Sequence, residues 1–335
     1  MLNKLFKVFK YKNNFKFFKT NQKIISQEYV IKRILKKIKI IICCFILFWI
    51  LMFNKKANIK IALCTMGKNE NLYVKEFINY YLKLGVDKII IYDDYDFNSE
   101  KISDMIDSQY RKFVKIYEAK KINIPNQSIA FSDCYEKYSS IFDWIIMIDM
   151  DEFLYIKNDR LKNYLLNPVF NKCDFIKIHW VIPTDNNHLY YENKPLFERF
   201  KGPYINSIFI KSIIRGNIPR LKYWVHSPYI SPVRNITCNN KGEIINYKNL
   251  NFEIINKIDI SKAFIIHFKY KSTEETIKKI KRGYSNWFGT KKMLKLVLRT
   301  KIKSYLTNNQ ITKEKLKYLE KELHINLSKY KKFCK

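Results

Sequence analysis

The sequence predicts an α/β protein with a mixed, mostly parallel sheet flanked by helices, and three observations carry that reading. From residue 59 onward, short β-branched runs alternate with helical stretches. Successive runs end on polar or acidic residues, as strands do where an open sheet meets a ligand crevice. The sharpest of these ends is Trp144-Ile145-Ile146-Met147-Ile148-Asp149-Met150-Asp151-Glu152-Phe153, where an apolar run breaks into three carboxylates.

The elements follow in order. Ile59 to Cys64 reads as a strand, Leu72 to Leu84 as an amphipathic helix stopped by Gly85, and Lys88 to Tyr92 as the next strand. A third strand falls at Phe113 to Tyr117, a helix at Gln127 to Tyr138, and a fourth strand at Trp144 to Ile148. Strands separated by helices imply right-handed crossovers and parallel pairing. Further strands are expected at Phe175 to Val181 and Ala263 to Ile266. Ser272-Thr273-Glu274-Glu275 is a capping box for a helix running to Gly283, with Lys278, Lys279, Lys281 and Arg282 along it. Lys291 to Lys335 reads as Lys-rich helices with no catalytic role.

An earlier segment breaks the pattern. Ile40 to Phe53 is uncharged and bracketed by Lys36, Lys37 and Lys39 before it and Lys55 and Lys56 after it. As a helix it would be roughly 20 Å long, short of the ~30 Å hydrocarbon core, but flanking lysines can snorkel and a bilayer can thin. It is read as a single short span. The first 39 residues hold twelve Lys/Arg and one acid, Glu28, which places the N-terminus in the cytosol. A helix lying in the interface, with the whole domain cytosolic, is the alternative. Sequons at Asn126, Asn235 and Asn326 are compatible with a luminal domain and are also expected by chance in an Asn-rich chain.

The chain has 63 basic and 30 acidic residues, a net charge of +33, which favours an anionic partner such as a nucleotide diphosphate or an acidic membrane surface. Nucleic acid is not the expected partner, because the basic residues are dispersed and no helix-turn-helix, zinc-finger or aromatic RNA-binding signature is present. The seven cysteines form no CxxC pair and no Cys/His cluster, and their odd number argues against a complete disulfide framework.

Strand residues alternate faces, so Asp149 and Asp151 would point the same way and could share one hard divalent cation, with phosphates and waters completing its shell. Polar residues at the first strand end, Thr65-Met66-Gly67-Lys68-Asn69-Glu70, and at the second, Asp93-Asp94, would face the same crevice. An ordinary turn is the bland alternative for each.

These motifs, Lys68-Asn69-Glu70, Glu76-Phe77, Gly85, Tyr92-Asp93-Asp94 and Asp149-Met150-Asp151-Glu152-Phe153, resemble glycosyltransferase family 92 and neighbouring family 2-like enzymes with the GT-A (Rossmann-like) fold. Phe197-Glu198-Arg199-Phe200, Lys211-Ser212-Ile213-Ile214-Arg215 and Ile266-His267-Phe268 resemble downstream blocks. The resemblance implies a metal-dependent transferase moving a sugar from a nucleotide-sugar, a UDP-sugar by inference from the fold, to a glycan or glycoconjugate hydroxyl with inversion. It implies donor contacts from Thr65, Lys68, Glu70, Asp93, Asp94 and Asp149, and Mn²⁺ or Mg²⁺ held by Asp149, Asp151 and His267.

The base is assigned to Asp185 or Glu198, with Asp185 preferred because it follows a strand. Trp180, Trp224 and His226 are expected to line the acceptor site. The expected organisation is a basic segment over 1–39, a membrane helix over 40–53, a linker over 54–58, a nucleotide-binding half over 59–156, an acceptor half over 157–285 and a helical tail over 286–335. The rival readings are a non-catalytic binding protein of the same fold, a basic nucleic-acid-binding protein at a membrane, and an Asp-dependent phosphohydrolase. The last is disfavoured because the Asp-x-Asp follows the fourth strand and not the first.

Overall fold

The computed structural model describes residues 33–44, 59–96, 99–223, 226–230, 236–245, 254–282 and 291–334. The chain divides into two units, residues 1–58 and 59–335. In the first, residues 33–44 form a helix exposed along its length. Among the described residues no helix is long and apolar enough to cross a membrane. Most of the expected span, 45–53, lies outside them, as do Trp224 and the sequon at Asn235.

The second unit is a mixed α/β fold. Strands β1 (Ile61–Gly67), β2 (Lys88–Asp93), β3 (Val114–Glu118) and β4 (Trp144–Met147) pair in parallel in the order β3-β2-β1-β4. The sheet then turns mixed. β7 (Tyr204–Arg215) runs antiparallel to both β4 and β6 (Phe175–Pro183). β11 (Ala263–His267) joins β6 in parallel and β5 (Glu152–Ile156) in antiparallel sense. A short strand, β10 (Thr237–Cys238), adds to β6, and β8 (Lys222–Tyr223) pairs antiparallel with β9 (Pro228–Ile230) in a separate two-stranded sheet.

Side-chain alternation explains why the central strands read as continuous apolar runs. Ile61, Leu63, Ile89, Ile91, Trp144 and Ile146 enter one core cluster. Ala62, Cys64, Ile90, Tyr92, Ile145 and Met147 enter the other. Helices cover both faces, so neither phase of the alternation is left for water. On the first face lies α1 (Val74–Leu84), whose Val74, Phe77, Ile78 and Tyr81 are buried at helical spacing. Gly85 ends it in the left-handed region, at φ 106°. On the second face α2 (Gln127–Tyr138) is capped by Asn126, whose side chain accepts from Ile129 N at 3.1 Å.

Four of the seven cysteines pair. Cys64 of β1 bonds Cys134 of α2, and Cys173 bonds Cys238 of β10. The sequence could not show this because the partners lie 70 and 65 residues apart and meet only through the sheet.

The C-terminal helices belong to the same unit. Beyond α3 (Leu161–Leu166), α4 (Leu196–Arg199) and α5 (Thr273–Arg282) come α6 (Lys291–Asn308) and α7 (Lys313–Leu323), which bring Tyr305, Leu306, Leu316 and Leu319 into the main core. Their anchor is Asp185, only 1 % exposed. It accepts from the Tyr305 hydroxyl and from Lys315 Nζ at 2.7 to 2.9 Å, while its own N–H donates to Asn309 at 2.7 Å. Asp185→Ala should therefore lower the unfolding free energy by about 3–5 kcal/mol, since the ammonium of Lys315 would stay buried without its carboxylate. Urea melts measure this, and Asp185→Leu with Lys315→Met should recover most of the loss.

Candidate functional site

The strand ends form one wall of a cleft of about 1830 Å³. β1 contributes Met66 and the loop after it Lys68 and Glu70, α2 contributes Gln127, and the turn after β4 contributes Asp149 and Asp151. Trp180 of β6, Phe209 of β7, His226 and His267 of β11 form its centre. Lys279 and Arg282 of α5 and Lys301, Ser304 and Tyr305 of α6 close the far side. Gly67 lets the two loops approach, because a Cβ there would collide with Met150 Sδ of the Asp-x-Asp turn. Asn69, at φ 50°, bends the chain out of β1 toward Glu70.

The Asp-x-Asp carboxylates are each matched by a lysine. Asp149 accepts from Lys211 Nζ at 2.7 Å and from Gln127. Lys211 is 1 % exposed; burial disfavours its charge, but Asp149 and Glu152 outweigh that and keep it cationic. Asp151 lies 2.5 Å from Lys279 Nζ and 3.5 Å from His267 Nε2. Burial works against its ionisation too, yet Lys279 and His267 hold it well below the usual carboxylate range. Glu152, fully buried beside Asp149, is pushed the other way by burial and by that neighbour. Glu70 is clamped by Lys271 at 3.5 Å and by Arg282, which together overcome its burial and lower it.

His267 reaches Asp151 through strand pairing, since β11 opposes β5 with His267 beside Glu152, and Phe268 N donates to Asp151 O at 2.9 Å. Burial favours the neutral imidazole. Its Nδ1 has no hydrogen-bond partner among the described residues, nor has Glu152 Oε1, 3.7 Å away. No group of three His, Cys, Asp or Glu side chains among the described residues is arranged to hold a metal. What does fit is a pair, Asp151 and His267, whose facing atoms are close to the separation of adjacent ligands on one ion. Asp149 is turned instead to Lys211 and Gln127.

The other expected site residues divide. Lys68 and Glu70 line the cleft, whereas Thr65, Asp93 and Asp94 lie behind it. Asp93 accepts from Ile102 N at 2.8 Å, and burial raises it to about 6. Neither proposed base is on the cleft wall. Asp185 is locked under α6 and α7, and Glu198 is exposed on α4. Asp185 does follow a strand, but its segment supports the C-terminal helices. Trp180 is on the wall, 4.4 Å from His267 and 5.0 Å from His226 between ring centroids, with Nε1 unpartnered among the described residues.

Sequence reasoning passed over Gln127 and Lys211 as contacts of Asp149. Lys211 did carry a signal, a lysine inside the apolar strand Ile210-Lys211-Ser212-Ile213-Ile214. Gln127 carried none, because the reach of a helix's first turn toward another strand end is set by packing.

Fold and cleft together define an α/β domain with a carboxylate- and lysine-lined crevice at its strand ends. The family model of glycosyltransferase family 92 matches residues 58–326, and the chain belongs to that family. It is similar to a glycosyltransferase family 92 protein of Oryza sativa subsp. japonica, 28% identical over 123 residues, 35% of this chain and 20% of that protein. One from Arabidopsis thaliana is 29% identical over 111 residues, 32% of this chain and 19% of that protein. The chain thus spans about a fifth of the length of the curated relatives it matches. Among solved structures, glucosyl-3-phosphoglycerate synthase from Mycobacterium tuberculosis is 17% identical over 37% of this chain and 45% of that one, at a TM-score of 0.28. Mannosyl-3-phosphoglycerate synthase from Rubrobacter xylanophilus is 16% identical over 47% and 53%, also at 0.28. At these scores the likeness carries no argument.

His226 supplies a pH prediction. Its Nδ1 donates to Ile210 O at 3.2 Å, and burial, then Lys211, depress its pKa to about 3. Since the unfolded imidazole takes up a proton near 6.5 and the folded one does not, this contribution is complete above pH 6.5 and is lost as pH falls toward 3. His226→Gln should show a shallower decline than the wild type over that window in thermal melts.

Proposed function

We propose that this chain is a GT-A glycosyltransferase that moves a sugar from a UDP-sugar to a hydroxyl of a glycan or glycoconjugate, with a divalent ion, Mn²⁺ or Mg²⁺, at Asp151. The observation that carries the reading is the convergence of Asp151 and the neutral His267 within a cleft lined by Lys68, Lys269, Lys279 and Arg282. Membership of family 92 supports the reaction class.

A bound ion would act as a Lewis acid on the donor diphosphate. The protein's own residues do the rest. Asp151 and His267 would hold the ion, with His267 kept neutral by burial so that Nε2 has a lone pair to give. Lys211 and Gln127 fix the Asp149 carboxylate, whose remaining oxygen can take hydrogen bonds from donor hydroxyls. Arg282 and Lys279 line the cleft and would stabilise the charge that grows on a leaving diphosphate. Trp180 and Phe209, stacked with centroids 5.4 Å apart, offer an apolar platform for a sugar ring. His226, with Nδ1–H committed to Ile210 O, presents Nε2 as an acceptor for a sugar hydroxyl. The proposal includes inversion at the anomeric carbon, which the family resemblance supports.

The test is a screen of nucleotide-sugar hydrolysis with Mn²⁺. One UDP-sugar should be consumed, and Asp151→Ala should reduce its turnover by about 10³-fold or more with an unchanged circular dichroism spectrum. Turnover unaffected in that variant, or unaffected by a chelator, would remove the metal role.

We also propose that the domain lies across the membrane from a cytosolic N-terminus. Two buried disulfides support it, since such bonds persist in oxidising compartments. In sealed vesicles, residues 59–335 should resist added protease until detergent is present. Digestion without detergent would put the domain on the cytosolic side.

A further inference from the structure

Lys279 stands in the proposed metal site. Its Nζ is 2.5 Å from Asp151 Oδ2, while the other oxygen of the same carboxylate faces His267 Nε2 at 3.5 Å. An ammonium so close to the carboxylate occupies one of the directions from which a cation would approach. The lysine is carried by α5, three residues before Arg282, whose guanidinium holds Glu70 and donates to Asn69 O at 3.1 Å. Lys271 stands on the other side of Glu70. Three cations thus share two carboxylates, an excess of positive charge that an incoming diphosphate would neutralise.

We propose that Lys279 is a place-holder: its ammonium balances Asp151 before the ion arrives, is displaced by it, and then turns to the donor diphosphate. This deepens the metal-dependent reading above and rests on it. Ion and lysine compete for one carboxylate, so the ion alone binds weakly, whereas ion and diphosphate together bind well because the freed ammonium acquires a new anionic partner. Lys279 thereby makes metal and nucleotide binding mutually dependent, a coupling that must be reciprocal. Lys211 has no such role, since it lies beneath Asp149 on β7.

The experiment uses Mn²⁺ alone, then UDP at saturating Mn²⁺, with calorimetry and Mn²⁺ electron paramagnetic resonance as readouts. Lys279→Gln should bind Mn²⁺ roughly tenfold more tightly than wild type and bind UDP roughly tenfold more weakly, two shifts of opposite sign. Lys279→Arg, which keeps the charge, should leave Mn²⁺ affinity near the wild-type value. Lys278→Gln, which removes a charge paired with Glu274 on the outer face of α5, should also leave it unchanged. Mn²⁺ affinity unaltered or reduced in a folded Lys279→Gln protein overturns the place-holder, as does an equal gain in Lys278→Gln. Wild-type protein that takes up no Mn²⁺ even with UDP present would instead overturn the metal-dependent reading itself.

Discussion

The candidate site depends on the antiparallel pairing of β11 with β5. Asp151 and Glu152 lead directly into β5, and the register sets His267 opposite Glu152, more than a hundred residues further along the chain. Because side chains alternate with period two, a slip of one residue would send His267 to the opposite face of the sheet and leave Asp151 without an imidazole. The register is held from both ends. Phe153 sits in an aromatic cluster with Phe77, Tyr81 and Phe268, while Phe268 N is tied to Asp151 O.

Charge is the second constraint. Asp149, Asp151, Glu152 and Glu70 lie within one small region, and burying carboxylates is costly unless cations come with them. Lys211 comes from β7, Lys271 from the segment after β11, and Lys279 and Arg282 from α5. The sequence's excess of lysine hides this, because the few that answer buried acids look the same as the many that coat the surface. Only a lysine amid apolar neighbours, as at position 211, stands out.

The C-terminal helices enter the site by a different route. Asp185, at the end of β6, holds Tyr305 and Lys315, and the same turn of α6 puts Lys301, Ser304 and Tyr305 on the cleft wall. The residue that resembled a base is thus part of the frame. A carboxylate at a strand end is legible in sequence; whether it faces a ligand or an arriving helix is decided by what packs there.

The order of strands and helices from Ile61 to Met147, the stop at Gly85 and the acidic turn after β4 were all determined locally, by apolar periodicity and by glycine and Asp at ends, so the sequence by itself carried them. In the later half β6 and β11 were legible as strands and the sheet as mixed, but β7 and the choice of which pairs run antiparallel were not, since period-two alternation is the same in parallel and antiparallel pairs. Tertiary structure alone decided that Asp149 belongs to Lys211 and Gln127, that Asp151 belongs to His267 and Lys279, and that Cys64 finds Cys134. Each of these contacts joins residues separated by tens of positions, and long-range pairing depends on the packing of the whole sheet, which no local pattern encodes.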